Sequence, residues 1–239
     1  MKAGEFMARQ VKSRQRVAEH GEVFTAEREV NAMLDLVKQE TERVDSRFLE
    51  PACGDGNFMV EILRRKLVAA KKRAIPPKKK KPDPFEYERQ SVIAIASIYG
   101  VDLLQDNVLA ARERLYEIWN AEYEDVCGNE TDEACRNTVR FILSRNIVCG
   151  NALTLMCVDA RQQDTNEPVV FSEWTMPFND TRIQRKDYTF EALLNASTIE
   201  EDIRESGQTY LFANEKGEVE PTFLRQYIFD YRRAQDHGQ

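Results

Sequence analysis

The chain has 239 residues, 42% of them hydrophobic, and five cysteines; this suits one α/β domain with an appendage and excludes a small disulfide-stapled scaffold. Two histidines and no paired ligand spacing among the cysteines argue against a metal site. The charged N-terminus has no apolar signal core, and the longest apolar run (92–101) is too short to span a bilayer, so a cytoplasmic, reduced setting with no membrane association is expected.

Charge is uneven. Residues 1–90 carry 20 Lys and Arg against 15 Asp and Glu; residues 91–239 carry 14 against 26. An acidic second half makes a poor duplex-DNA surface, because phosphate neutralisation supplies most non-specific affinity. Any DNA binding by the chain alone is expected to be weak.

In chain order, residues 3–18 read as a basic helix. Residues 26–40 read as a second, with Val30, Met33, Leu34 and Val37 on one face, Thr25 as its N-cap, and Glu27 and Glu29 in its first turn. A strand at 47–51 runs into an acid-proline pair, a glycine-rich turn and an amphipathic helix at 57–72. Residues 71–84, KKRAIPPKKKKPDP, hold seven basic residues and four prolines and read as a loop. That loop is either a solvated linker or a phosphate contact. Helix 85–97 leads to a strand at 98–102 ending in Asp102. Helix 105–123, a CGNETDE turn and helix 133–144 precede a third strand at 146–149. Residues 160–189 read as a hairpin turning at Asn179-Asp180. The acidic tail, 199–239, shows no strand pattern.

The most informative stretch is LEPACGDGNF at 49–58. Gly54 and Gly56 permit a sharp turn and a close approach of backbone to ligand. A strand, glycine turn and helix in this order form the nucleotide-type site of an open α/β sheet. It is neither G-x-G-x-x-G nor a P-loop. No lysine or arginine lies in the turn to meet a pyrophosphate, whereas Glu50 and Asp55 do lie there. The site therefore suits a ligand with a cationic amine and a neutral adenosine, as in S-adenosylmethionine, better than NAD or ATP. Asp102 at the end of the second strand can accept both ribose hydroxyl hydrogen bonds. Cys53 has no histidine base nearby in sequence and reads as a small residue that the turn accepts.

With GEVFT (21–25) upstream, EPACGDG, the acid at 102 and GNAL (150–153) downstream, residues 10–155 resemble the N6-adenine DNA methyltransferases of restriction-modification systems. The resemblance implies a Rossmann-like methyltransferase fold with S-adenosylmethionine as cofactor. It implies Thr25 at the methionine end and Glu50, Ala52, Cys53, Gly54, Asp55 and Gly56 in the loop beneath it. Asp102 would hold the ribose, Leu103 would lie against adenine, and Asn151 and Ala152 at the adenine edge. Asn151 stands where the family has an acid, and an amide can still accept from the adenine amine.

The family's catalytic Asn-Pro-Pro-Tyr does not occur in the chain. Its Asn side chain and first Pro carbonyl accept both N6 hydrogens of the target base, a preorganised transition-state stabilisation, and its aromatic residue stacks on the flipped base. The nearest string is Thr175-Met176-Pro177-Phe178, which leaves Pro177 and Phe178 as the only catalytic candidates.

Three convincing parallel strands are expected, fewer than the roughly seven the fold uses, with the third strand's edge near Ile147 and Val148 open for a partner. The expected organisation is an N-terminal helical segment at 1–45, a cofactor-binding core at 46–158 carrying the basic insert 71–84, and a hairpin with an acidic extension at 159–239. The leading expectation is the cofactor-binding subunit of a split adenine methyltransferase whose partner brings the catalytic motif and target recognition. The alternatives are an inactive methyltransferase-like binding module and a self-sufficient enzyme using 175–178.

Overall fold

The structure is a computed structural model that describes residues 25–178, 180–195 and 223–237. The expected helix at 3–18, residue 179 of the hairpin turn and most of the acidic tail lie outside the described residues.

Two short helices open the fold: α1 (Glu27–Asp35) and α2 (Lys38–Thr41). The expected single helix over 26–40 breaks between them. Thr25 does not cap it. Ala26 is the N-cap, and its backbone N–H donates to Glu29 Oε2 at 3.1 Å, so the first-turn acid takes over the capping role.

Strand β1 (Phe48–Glu50) leads through the glycine turn to α3 (Asn57–Arg73). Next come α4 (Pro84–Ala96), β2 (Ile98–Asp102), α5 (Gln105–Cys127), α6 (Glu133–Asn146) and β3 (Ile147–Asn151). The helix boundaries follow local chemistry. Asp83 caps α4 by accepting from the Glu86 N–H, with Pro84 as the first helical residue. Asp132 caps α6 through the Ala134 N–H. On α5, Val108, Ala111, Leu115, Trp119 and Tyr123 recur at three- and four-residue spacing and are all fully buried.

The main sheet has five strands in the order β1-β2-β3-β4-β5, with β4 at Met156–Val158 and β5 at Asp164–Pro168. The first three strands are parallel, and β4 and β5 are antiparallel additions. A second, antiparallel sheet has the order β6-β7-β8: Val170–Thr175, Arg182–Thr189 and Arg225–Asp230. Strands β6 and β7 are the expected hairpin. Strand β8 overturns the reading of the tail as strandless; along its whole length it pairs with Arg182 to Asp187 of β7. A 3-10 turn, Tyr231–Asp236, then returns the chain to α6, where Thr138 Oγ1 donates to the Tyr231 carbonyl.

Alternation along β2 separates two cores. Ile98 joins the cluster formed with helices α3 to α6, and Gly100 faces Met59 and Cys53 on the same side. Tyr99 and Val101 face Val169, Phe171 and Phe190 on the other side. Helices thus cover one face, and Val169, Phe171 of β6 and Phe190 pack on the other, while Trp174, Ile183 and Phe229 of the second sheet join the helix cluster.

The edges differ from expectation. Strand β4 pairs with the carboxyl end of β3, at Gly150 and Asn151, and not at the Ile147 and Val148 named above. The edges of the main sheet are β1 and β5; among the described residues β1 pairs only with β2 and β5 only with β4, and β1 is the parallel edge. The Phe48 N–H donates to the Ser97 carbonyl, so strand alternation turns the Leu49 N–H and C=O outward. The Leu49 side chain is 42% exposed. No helix among the described residues is long and apolar enough to cross a membrane.

Candidate functional site

A cavity of about 510 Å³ lies at the carboxyl ends of β1, β2 and β3, the end of an open α/β sheet where ligands bind. Thr25, Glu50, Ala52, Cys53, Gly54, Asp102, Leu103, Asn151 and Ala152 line it, so nine of the eleven cofactor residues expected from sequence converge there. These residues come from four separate segments, brought together by the parallel register of Glu50 with Gly100 and Asp102 with Cys149.

The glycine turn is a short left-handed bend. Gly54 has φ +52° and Gly56 φ +94°, values that suit residues without a Cβ. Gly56 also packs tightly on α5: a Cβ there would lie 3.3 Å from Ala111 Cβ. The Gly56 N–H donates to the Cys53 carbonyl at 2.9 Å, and the Cys53 N–H donates to the Val101 carbonyl at 2.9 Å, which ties the turn to β2.

Asp102 completes the tie. Its Oδ2 accepts from the Gly54 N–H at 2.9 Å. Its Oδ1 accepts from the Leu104 N–H at 2.8 Å and from Asn107 Nδ2 at 3.2 Å. The carboxylate therefore shapes the turn and caps the start of α5 while lining the cavity.

Two expected residues do not line it. Asp55 faces α5, where Arg114 pairs with its Oδ1 at 2.9 Å and donates to its backbone oxygen at 2.7 Å. Gly56 lies beneath the turn against α5. Attraction to a guanidinium 59 residues downstream decides the orientation of Asp55. The acids in the cavity are thus Glu50 and Asp102.

Sequence reasoning missed Pro51, Asn57, Phe58, Leu104, Asn107, Gly150 and Leu153, all of which line the cavity. Asn57 and Asn107 each stand in the first turn of a helix that starts at the cavity, and that position was the available signal. Among the lining residues there is no lysine, arginine or histidine.

Burial raises the Glu50 carboxyl above its ordinary 4.5, opposed by the Ala52 backbone hydrogen bond. Such a carboxylate gains from a cationic partner. Burial and the nearby Asp102, Glu50 and Asp55 push the Cys53 thiol well up, which disfavours its thiolate form.

Pro177 and Phe178 are not brought to the cavity. Pro177 lines a separate cleft with Ser46, Arg47 and Ser97, beside the amino ends of β1 and β2. The Phe178 carbonyl accepts from Arg89 of α4, and its ring stacks under Arg182.

The basic insert is also remote. Helices α3 and α5 both start at the cavity and run 17 and 23 residues away from it, about 25 and 35 Å at 1.5 Å per residue. Their far ends meet beside the insert: Lys71 Nζ donates to Asp125 Oδ2 at 2.8 Å, and Cys127 Sγ contacts the Pro84 carbonyl at 3.5 Å. Lys71, Lys72 and Arg73 belong to the last turn of α3, leaving 74–83 as the loop.

No curated protein and no solved structure matches the chain. Residues 24–207 match the family model described as MmeI, DNA-methyltransferase domain. That span starts beside Thr25 and holds every strand that builds the cavity, and it takes in well over half of the 239 residues. The chain belongs to the MmeI DNA-methyltransferase domain family.

Proposed function

We propose that the chain is the S-adenosylmethionine-binding part of an adenine-N6 DNA methyltransferase of a restriction-modification system. The observation that carries this reading is the cavity itself: two carboxylates, no cation, and lining segments from the carboxyl ends of three parallel strands. The cofactor supplies an electrophilic methyl group on a sulfonium. Glu50 is the partner for its α-amine, Asp102 for the ribose hydroxyls, Leu103 for an adenine face and Asn151 for the adenine edge. A volume of about 510 Å³ is in the range of small-molecule sites.

The acceptor-activating Asn-Pro-Pro-Tyr comes from outside these 239 residues, together with target recognition. Two observations support this. Thr175–Phe178 sits at the other end of the sheet, and β1 has an open edge whose carboxyl end is the cavity rim at Glu50 and Pro51. A strand added parallel to β1 satisfies the outward N–H and C=O of Leu49 and carries the residues that follow it to the cavity.

The test is calorimetric titration of the purified protein with S-adenosylmethionine, ATP and NAD. Tritiated-methyl transfer to DNA is then measured with and without a polypeptide bearing Asn-Pro-Pro-Tyr. The expected result is binding of the methyl donor alone, and methylation only in the presence of the second polypeptide. Binding of ATP or NAD in place of the methyl donor overturns the cofactor assignment. Robust methylation by the chain alone overturns the outside source of the catalytic motif.

A further inference from the structure

One stripe of α5 holds the cofactor turn from outside. Asn107, Ala111 and Arg114 lie at four- and three-residue spacing and so share one helix face. Asn107 bonds Asp102, Ala111 underlies Gly56, and Arg114 reaches the two residues that flank Gly56.

Arg114 acts on both sides of the turn. Its Nη1 donates to the Asp55 carbonyl, and its Nη2 donates to Asn57 Oδ1 at 3.0 Å. The second bond settles which way the Asn57 amide points, because a flipped amide would set its NH₂ against the guanidinium N–H groups. With Oδ1 engaged, Nδ2 is turned toward the upstream segment and donates to the Thr25 carbonyl at 3.3 Å. Thr25 is the one lining residue that comes from before β1. A guanidinium outside the cavity thus joins the upstream wall to the glycine turn through a single amide.

We propose that Arg114 is a positioning residue, acting through Asn57 to hold the Thr25 segment against the glycine turn. The ligand half of its test rests on the cofactor reading above; the ligand-free half does not. Lysine cannot replace arginine fully here, because the ammonium is a point charge without the fork that spans the Asp55 carbonyl and the Asn57 amide.

The experiment compares Arg114→Met, Arg114→Lys, Asn57→Ala and the Arg114→Met/Asn57→Ala double variant with the unaltered chain. Amide hydrogen exchange over residues 26–30 is measured without ligand. Affinities are measured for S-adenosylhomocysteine and for methylthioadenosine, which lacks the amino-acid arm. Arg114→Met and Asn57→Ala are each expected to speed exchange over 26–30. Each should weaken S-adenosylhomocysteine by about tenfold, the equivalent of one charge-assisted hydrogen bond, and Arg114→Met, which lies outside the cavity, should leave methylthioadenosine unchanged. The double variant should be no worse than either single one, since residues in one network are non-additive, and Arg114→Lys should recover only part of the loss. Unchanged exchange over 26–30 in both single variants overturns the relay, as does equal weakening of the two ligands by Arg114→Met or simple additivity. If the unaltered chain binds neither ligand, the cofactor reading falls, and the exchange measurement still decides the relay.

Discussion

The backbone N–H of Gly54 donates to Asp102 Oδ2 at 2.9 Å, so the acid at the end of β2 holds the glycine turn that follows β1. The same carboxylate also accepts from the Leu104 N–H and Asn107. Loss of its side chain is therefore a structural change as well as a change in the cavity.

Asp102→Ala is expected to destabilise the ligand-free chain by about 2–3 kcal/mol, since it strips acceptors from partly buried donors. It should also weaken the methyl donor by at least tenfold. Thermal denaturation without ligand separates the two effects: an unchanged melting temperature would mean that the turn does not depend on Asp102.

On the proposed cofactor reading, Glu50 is expected to make affinity for the methyl donor pH-dependent. Its raised carboxyl takes up a proton at a higher pH than in the unfolded chain. As pH falls through that titration the carboxylate is lost, so affinity for a cationic amine is expected to fall. Stability of the empty protein moves the other way. Between 4.5 and the raised folded value the native state binds more protons than the unfolded state, so this group's contribution rises as pH falls. Titrations of Glu50→Gln across the same pH range should show a flat affinity profile.

Two strand glycines have no room for a methyl group. A Cβ on Gly150 would lie 2.6 Å from Val169 Cγ2 and 3.1 Å from the Met156 carbonyl. One on Gly100 would lie 2.9 Å from Met59 Sδ and 3.1 Å from Cys53 Sγ. Each alanine substitution is expected to cost about 1–3 kcal/mol by overpacking. Gly150→Ala should be the worse of the two, because Val169 is stiff and a backbone oxygen is fixed, whereas Met59 adapts. Gly100→Ala should also weaken the cofactor by displacing Cys53. Denaturant titration of both variants checks the ranking.

Lys66 is fully buried, and its ammonium donates to the carbonyls of Arg43, Val44 and Ser46 and to Ser97 Oγ. It is the brace between α3 and the approach to β1. Lys66→Met keeps the stem and removes every donor, and is expected to destabilise the fold by about 1–3 kcal/mol, the cost of leaving buried carbonyls without a donor. Urea denaturation measures the loss; a change within 0.5 kcal/mol would mean that those carbonyls find other donors.

What the sequence determined by itself was local. Gly54 and Gly56 mark a turn because they take positive φ, and the apolar recurrence over 105–123 marks a helix, although its buried face was only partly legible, since Leu109 is apolar yet exposed. The glycine turn and the strand-end acids Glu50 and Asp102 were legible from the residues, whereas Thr25, Leu103, Asn151 and Ala152 of the cavity were expected only through the resemblance. Tertiary structure alone decided the rest. Strands β4 and β8 exist because β3 and β7 offer them edges; three residues such as Met156–Val158 carry no readable period. For the same reason β3 is an inner strand, and β1 and β5 are the edges of the sheet. Asp55 looks like a cavity acid in the linear motif, but Arg114, 59 residues downstream, turns it outward. A pairing between distant residues leaves no periodic trace in either segment, so it becomes visible only once the chain has folded.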